Sequence, residues 1–366
     1  VEHSNQPSNN NVDDKYLLNK AYLIPITTMH LTSDLRAPAS PFDRPHLIYT
    51  LLTQPLHLVA RLCYHFLTQL RPQPRRHKSI RVVCISDTHS LDPGNIPNGD
   101  VLVHAGDITA HGTLSELQAA IDLLSALPHE HKYIIAGNHD TYLDESSRAT
   151  LPKDEANQHA TLDWKSLTYL QHTSSSIYLP SHNRSLHIHG SPQTPWPKPS
   201  PDPTFAFTYT RSQDAWRNTV PPETDILISH SPPKHHLDLP AALGCEHLAA
   251  EVARVKPLLH VFGHVHAGRS DFEGWVKGGR ERVVWDAGQD ALRSALARRA
   301  RGCMWDLWNL CLWWDLGRVL FWGGKVVLWE RVWGGKMLEY QTVMVNAAMM
   351  FEGSGRLGNE VQVVDI

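Results

Sequence analysis

The stretch "IIAGNHDTYLD" runs from Ile134 to Asp144. An apolar run meets Gly-Asn-His-Asp at once, and these four residues are poor strand formers, so a strand must stop there. Turn chemistry accounts for Gly137-Asn138 but gives no reason for His139. Asn, His and Asp all offer metal or proton chemistry. The reading therefore turns on whether other strands end in the same way.

They do. Short apolar runs with the signature of buried strands cover 80–86, 100–105, 132–136, 185–189, 225–229 and 258–262. The first ends in Ser86-Asp87-Thr88-His89 and the second in Gly106-Asp107. The third ends in Gly137-Asn138-His139-Asp140, the fifth in His230, and the sixth in Gly263-His264-Val265-His266. Between the second and third lies "TLSELQAAIDLLSALP" (113–128), which reads as a helix. Thr113 and Glu116 have capping-box spacing, and Leu117, Ile121 and Leu124 line one face. This βαβ unit predicts that part of the sheet is parallel. Ligands bind at the carboxyl ends of parallel strands, so five strand ends deliver Asp, His and Asn to one rim. Taken singly, Asp-Thr-His reads as a turn, Gly-Asp as an ordinary loop, and Gly-His-Val-His as either a loop or a metal site. Five such ends in this order are not an accident of turns. His264 and His266, two residues apart on an extended strand, are expected to face the same side.

The set resembles the calcineurin-like metallophosphoesterase superfamily, whose blocks run D-x-H, G-D, G-N-H-D/E, H and G-H-x-H. The words "CISDTHS" (84–90), "VLVHAGDIT" (101–109), "GSPQTPW" (190–196), "DILISHSPP" (225–233), "HVFGHVH" (260–266) and "VNAAMM" (345–350) are similar to its metallophosphoesterase-domain branch. The resemblance covers about 79–270 and 338–366. It implies an α/β fold, specifically a four-layer α/β/β/α sandwich, and a centre of two divalent metal ions. Asp87, His89, Asp107 and His266 would hold one ion. Asp107, Asn138, His230 and His264 would hold the second, with Asp107 bridging. The residue types agree with that reading: carboxylate, imidazole and amide donors suit Mn, Fe or Zn rather than Ca, and the lack of thiolates argues against a structural zinc site. Two such ions clamp an in-line displacement at phosphorus and activate a water shared between them. His139 would stabilise the transition state or protonate the leaving oxygen, and Asp140 would hold the tautomer of His139. The implied activity is phosphoester hydrolysis, of cyclic nucleotides or other small phosphodiesters. A phosphomonoesterase on the same site and a non-catalytic metal-binding scaffold are the alternatives.

Other residues carry weaker signals. His104 and His260 sit inside strands and read as hydrogen-bonded core histidines. His111 faces either substrate or solvent. Trp196, in the Pro-rich stretch 191–205 that reads as a long loop, either walls the pocket, stacks on a base or packs within the loop. Cys84 reads as inert core.

The chain has 366 residues and a net charge of -3, a balance with no general pull toward nucleic acid or acidic lipid. Its five Cys form no C-x-x-C pair, which points to a reducing, intracellular and cytoplasmic setting. Residues 1–48 are polar and Pro-dotted and are expected to be disordered. Residues 49–78 read as an amphipathic helical segment, begun near Leu47, and a basic linker, "RPQPRRHK" (71–78). The metallophosphoesterase domain then spans 79–366, with a helical Trp-rich insertion at about 270–338. Seven of the twelve Trp fall between 305 and 333, and Trp305, Trp308, Leu312 and Leu316 have helical spacing. Three readings compete for this region: a helical hairpin packed on the domain or on 47–70, a peripheral membrane contact through 290–335, or a dimer contact. Asp306, Asp315 and Arg318 argue against a full membrane span.

Overall fold

A computed structural model describes residues 36–72, 79–156, 161–196, 200–269, 278–333 and 340–366. Strands β1 (Arg81–Ile85), β2 (Val101–Ala105), β3 (His131–Ile135) and β4 (Leu167–Tyr169) run parallel, and β13 (Gln362–Asp365) lies antiparallel beside β1. The second sheet holds β5 (Thr173–Leu179), β6 (Arg184–Ser191), β9 (Ile226–Ser229), β10 (Leu259–Phe262), β11 (Arg280–Val284) and β12 (Gln341–Asn346), in the order β11-β12-β10-β9-β6-β5. Its four inner strands are mutually parallel. A separate ribbon pairs β7 (Thr194–Trp196) with β8 (Thr208–Thr210).

Strand periodicity builds the layers. On β1, Val82 and Cys84 point one way and Val83 and Ile85 the other, and all four are fully buried. Val82, Cys84, Val103, Tyr133 and Ile135 of the first sheet meet Ile188, Ile226, Ile228, Leu259 and Val261 of the second in one core. The opposite face of the first sheet packs under α3 (Leu114–Ser125), through Ile121 and Leu124. Two single-turn helices, α4 (Glu145–Arg148) and α5 (Lys153–Ala156), follow β3. The outer face of the second sheet packs under α6 (Glu246–Val255), through Leu248 and Val252. The molecule is thus the four-layer α/β/β/α sandwich that the motifs implied. The expected capping box is present on α3: Thr113 Oγ1 accepts the Glu116 N–H at 3.3 Å, and the Glu116 carboxylate accepts the Thr113 N–H at 3.4 Å.

The flanking regions differ from expectation in detail. Disorder expected over 1–48 and the basic linker over 71–78 fall mostly outside the described residues. The amphipathic segment is two helices, α1 (Leu47–Thr53) and α2 (Pro55–Gln69). Pro55 lacks an N–H and takes the first position of a new helix rather than continuing the old one. The Trp-rich region first supplies β11, an edge strand of the second sheet, and only then turns helical, in α7 (Ala287–Ala297), α8 (Cys303–Leu307) and α9 (Leu310–Val332). Leu312, Leu316 and Val319 of α9 pack with Leu292 and Leu296 of α7 and with Leu56, Ala60 and Tyr64 of α2. The helical region therefore packs on 47–70, as the first of its three readings had it. The single helical face drawn through Trp305, Trp308, Leu312 and Leu316 is broken. Asn309 ends α8's turn and caps α9 by accepting the Cys311 and Leu312 N–H groups, which leaves Trp305 and Trp308 exposed while Leu312 and Leu316 are buried.

Candidate metal centre

The carboxyl ends of β1, β2 and β3 face those of β9 and β10 across the gap between the sheets. The loops are stitched there by an isolated bridge between Ser86 and Ala348. Each strand end turns sharply. Asp87, His89, Asp107 and His264 all have positive φ, between 46° and 64°, a conformation that costs a non-Gly residue roughly 1–2 kcal/mol. Positive φ occurs elsewhere in the described residues too, but here four such residues are all potential metal donors on one rim. The glycines beside them leave room that no side chain could share. A Cβ at Gly263 would sit 2.0 Å from Asp87 Oδ2, and one at Gly137 would sit 2.2 Å from Asp107 Oδ1.

Three overlapping donor groups result, each with its ligand atoms within 4.8 Å of one another: Asp87–His89–His266, His89–Asp107–His139 and Asp107–His230–His264. Asn138 joins the third, its Oδ1 lying 3.1 Å from His230 Nε2. All seven ligand residues expected from the sequence are thus brought to one place. Asp107 belongs to the second and third groups, with Oδ2 at 3.8 Å from His89 Nε2, a donor of the first, and 3.3 Å from His230 Nε2. The histidines are oriented by main-chain carbonyls. His230 bonds through Nδ1 to the Ala105 carbonyl at 2.9 Å, and His266 through Nδ1 to the Glu352 carbonyl at 2.7 Å. Each leaves Nε2 facing the centre, the arrangement that prepares an imidazole as a metal ligand.

Electrostatics and unmet hydrogen bonding fit a cation. Burial holds His89 below the ordinary histidine range and pushes His264 down to about 3, so both rings present neutral nitrogens. Burial would raise the Asp107 carboxyl, yet the His230 and His139 charges outweigh it and hold it well below the carboxylate range. His89 Nε2 is buried without a hydrogen-bond partner. A buried nitrogen beside two carboxylates, left unsatisfied, is what a ligand atom awaiting a divalent ion looks like. The donor set of carboxylate, imidazole and amide, without thiolate, suits Mn, Fe or Zn.

Two expectations are corrected. Asp140 does not pair with His139. Its buried carboxylate accepts the N–H groups of Gly137, Ile108 and Thr109 and the Thr109 hydroxyl, so it braces the loops that carry Asp107 and Asn138. The ring of His139 is set instead by the Ala110 carbonyl, 3.1 Å from Nδ1, and the main-chain N–H of His139 donates to Asp107 Oδ1 at 2.8 Å. Secondly, His264 and His266 do not share one side of an extended strand. β10 ends at Phe262, His264 is left-handed and His266 opens a 3₁₀ turn. The Asp87 carboxylate forces this turn by accepting the His264 N–H at 3.1 Å.

His104 and His260 are core residues, bonded to the hydroxyls of Thr88 at 2.9 Å and Ser229 at 2.8 Å. His111 is exposed, and Cys84 is buried, its thiol pushed up to about 12 by burial. Trp196 belongs to β7, so the stretch 191–205 is not wholly a loop. Its ring tilts against Phe205 at 5.0 Å, and Phe205 meets the edge of His139 at 5.5 Å. The Ala206 N–H bonds the Asn138 carbonyl at 2.9 Å, which fixes this aromatic pair to the metal loop. Phe205 and Glu352 escaped the sequence reading. Phe205 lies among prolines and Glu352 contributes only a main-chain carbonyl, so neither leaves a side-chain signal.

The family model for calcineurin-like phosphoesterase matches residues 80–268. The chain belongs to that family. Metallophosphoesterase domain-containing protein 1 of Homo sapiens is 39% identical over 204 residues, which make up 51% of this chain and 61% of that protein. A protein of Emericella nidulans named probable rhamnogalacturonate lyase C is 40% identical over 235 residues, 64% of this chain but 20% of that protein. A UPF0046 protein of Caenorhabditis elegans is 34% identical over 194 residues, 51% of this chain and 63% of that protein. The chain thus spans less than two thirds of the length of these relatives. The family match encloses every donor of the centre, from Asp87 to His266.

Proposed function

We propose that this phosphoesterase hydrolyses small phosphodiesters, cyclic nucleotides among them, at a centre of two divalent ions, manganese being the first to try. Asp87, His89 and His266 would hold one ion, Asn138, His230 and His264 the other, with Asp107 shared. The observation that carries the reading is the position of Asp107, one carboxylate within 3.8 Å of donors on both sides. Divalent ions bound there supply charge stabilisation on the phosphoryl oxygens and an activated water.

The chain's own residues set the rest. Asp107 accepts the His139 N–H and so ties the acid–base residue to the shared ligand. With Nδ1 engaged by the Ala110 carbonyl, His139 keeps Nε2 for the leaving oxygen, to which it delivers a proton or against which it holds positive charge. Phe205 stands against His139, with Trp196 packed on Phe205. Flat apolar surface on that side favours an ester whose leaving group carries an aromatic ring or a base, as the nucleoside of a cyclic nucleotide does.

The test compares bis(p-nitrophenyl) phosphate with p-nitrophenyl phosphate on folded protein loaded with Mn²⁺, Fe²⁺ or Zn²⁺. Faster turnover of the diester, abolished by EDTA, is expected. A preference for the monoester makes the protein a phosphomonoesterase on the same site. Turnover of neither substrate by metal-loaded protein leaves the scaffold reading.

A further inference from the structure

The helical layer leaves an unusual surface. One face of α9 is buried against α2 and α7. The other carries Leu310, Trp314, Phe321, Leu328 and Val332 at helical spacing, and these are 81%, 69%, 62%, 55% and 65% exposed. A helix apolar on both faces belongs in a core or at a lipid boundary. Met304 and Trp305 of α8, Trp308 just after it, and Ile48, Leu51 and Leu52 of α1 add exposed apolar area, and both helices pack against α2. So much exposed apolar side chain marks an interaction surface.

Charge decides the partner. Residues 299–333 hold three acidic side chains, and all three turn inward. Asp306 is 1% exposed and accepts the Arg301 N–H. Asp315 is held by Arg298 at 2.7 Å and Arg318 at 3.3 Å. Glu330 is held by Arg71 at 2.8 Å. Arg299, Arg301, Lys325 and Arg331 are exposed. The outer surface is therefore aromatic and cationic, although the whole chain carries a net charge of -3. Trp with Lys and Arg is the composition of the membrane–water interface. Among the described residues no helix is long and apolar enough to cross a membrane, so the face would lie on a bilayer rather than span it.

We infer that the exposed face of α8 and α9, flanked by α1, docks on an anionic lipid surface. Phe42, just before α1, is 40% exposed, and its ring lies 6.1 Å from that of His264. The chain segment leading into the docking face thus touches the rim of the metal centre, although docking itself does not depend on catalysis.

The test is flotation of the full chain with phosphatidylcholine vesicles, with and without phosphatidylserine, at low and high salt. Brominated lipid serves as a quencher of tryptophan fluorescence. Binding that requires phosphatidylserine, weakens with salt and quenches tryptophan is expected. The double variant Trp314→Glu, Phe321→Glu should bind at least tenfold more weakly with an unchanged far-UV spectrum. Arg299→Glu with Arg301→Glu, a surface change that spares the apolar contacts, should lose the phosphatidylserine dependence. Failure to float at low salt overturns the inference, as does wild-type binding by both variants. A lipid-free dimer that buries these tryptophans would also overturn it, by assigning the face to a second copy of the chain.

Discussion

His230 gives its two nitrogens separate duties, and they make metal uptake pH-dependent. Burial favours the neutral ring, but the Asp107 carboxylate beside Nε2 outweighs it and raises the pKa to about 9. Below that pH the ring carries a proton that must leave before Nε2 can bind an ion. Metal binding at pH 7.5 is therefore expected to release protons, and apparent affinity should rise with pH until about 9. Calorimetry in buffers of different ionisation enthalpy reads this directly, and binding with no proton release would contradict it. His139 should behave differently. Its side chain meets the Ala110 carbonyl and Phe205, so His139→Ala should lower kcat by about 10²–10⁴-fold and leave metal content unchanged. Loss of metal in that variant would make His139 a ligand instead.

At the scale of elements, the glycines beside the ligands are as necessary as the ligands. In Gly263→Ala the new methyl would meet Asp87 Oδ2 and Ser86 Oγ at 2.0 and 2.2 Å. Metal content should fall while the far-UV spectrum is kept, and full metal loading would contradict this account of the turn. β1, β2, β3, β6, β9, β10 and α3 were legible in the sequence because their signals are local: short apolar runs, a capping box and polar residues at the strand ends; the short or polar strands β4, β5, β7 and β8 carry no such run. The left-handed turn at His264 was not legible, because the Asp87 carboxylate that imposes it is 177 residues away. Nor was β11, whose sequence Arg-Glu-Arg-Val-Val carries the charges of an edge strand. The partners of Asp140 were not legible either. Nothing local shows that its oxygens are taken up by the N–H groups of Ile108 and Thr109.

In the whole molecule, the centre and the helical layer are separate cores joined through the second sheet. Asp315 is buried while Arg298 and Arg318, which hold it, reach solvent, so Asp315→Ala removes their hydrogen bonds and that of Ser294 but leaves both charges hydrated. A loss of about 1 kcal/mol in stability, the worth of the hydrogen bonds removed, is expected from chemical denaturation, with KM and kcat unchanged on the folded enzyme; altered turnover would show that the layer reaches the site. The two halves of the sandwich meet at the donor rim, where one sheet supplies Asp87, His89, Asp107 and Asn138 and the other supplies His230, His264 and His266. Asp107 links them. The most direct test is metal content per chain after Mn²⁺ loading, measured with bis(p-nitrophenyl) phosphate turnover on the same samples of wild type and Asp107→Asn. The account predicts two ions and EDTA-sensitive turnover for the wild type, with both ions weakened and turnover lost in the variant. A wild type that holds a single ion, or an Asp107→Asn chain that keeps both ions and its activity, would contradict it.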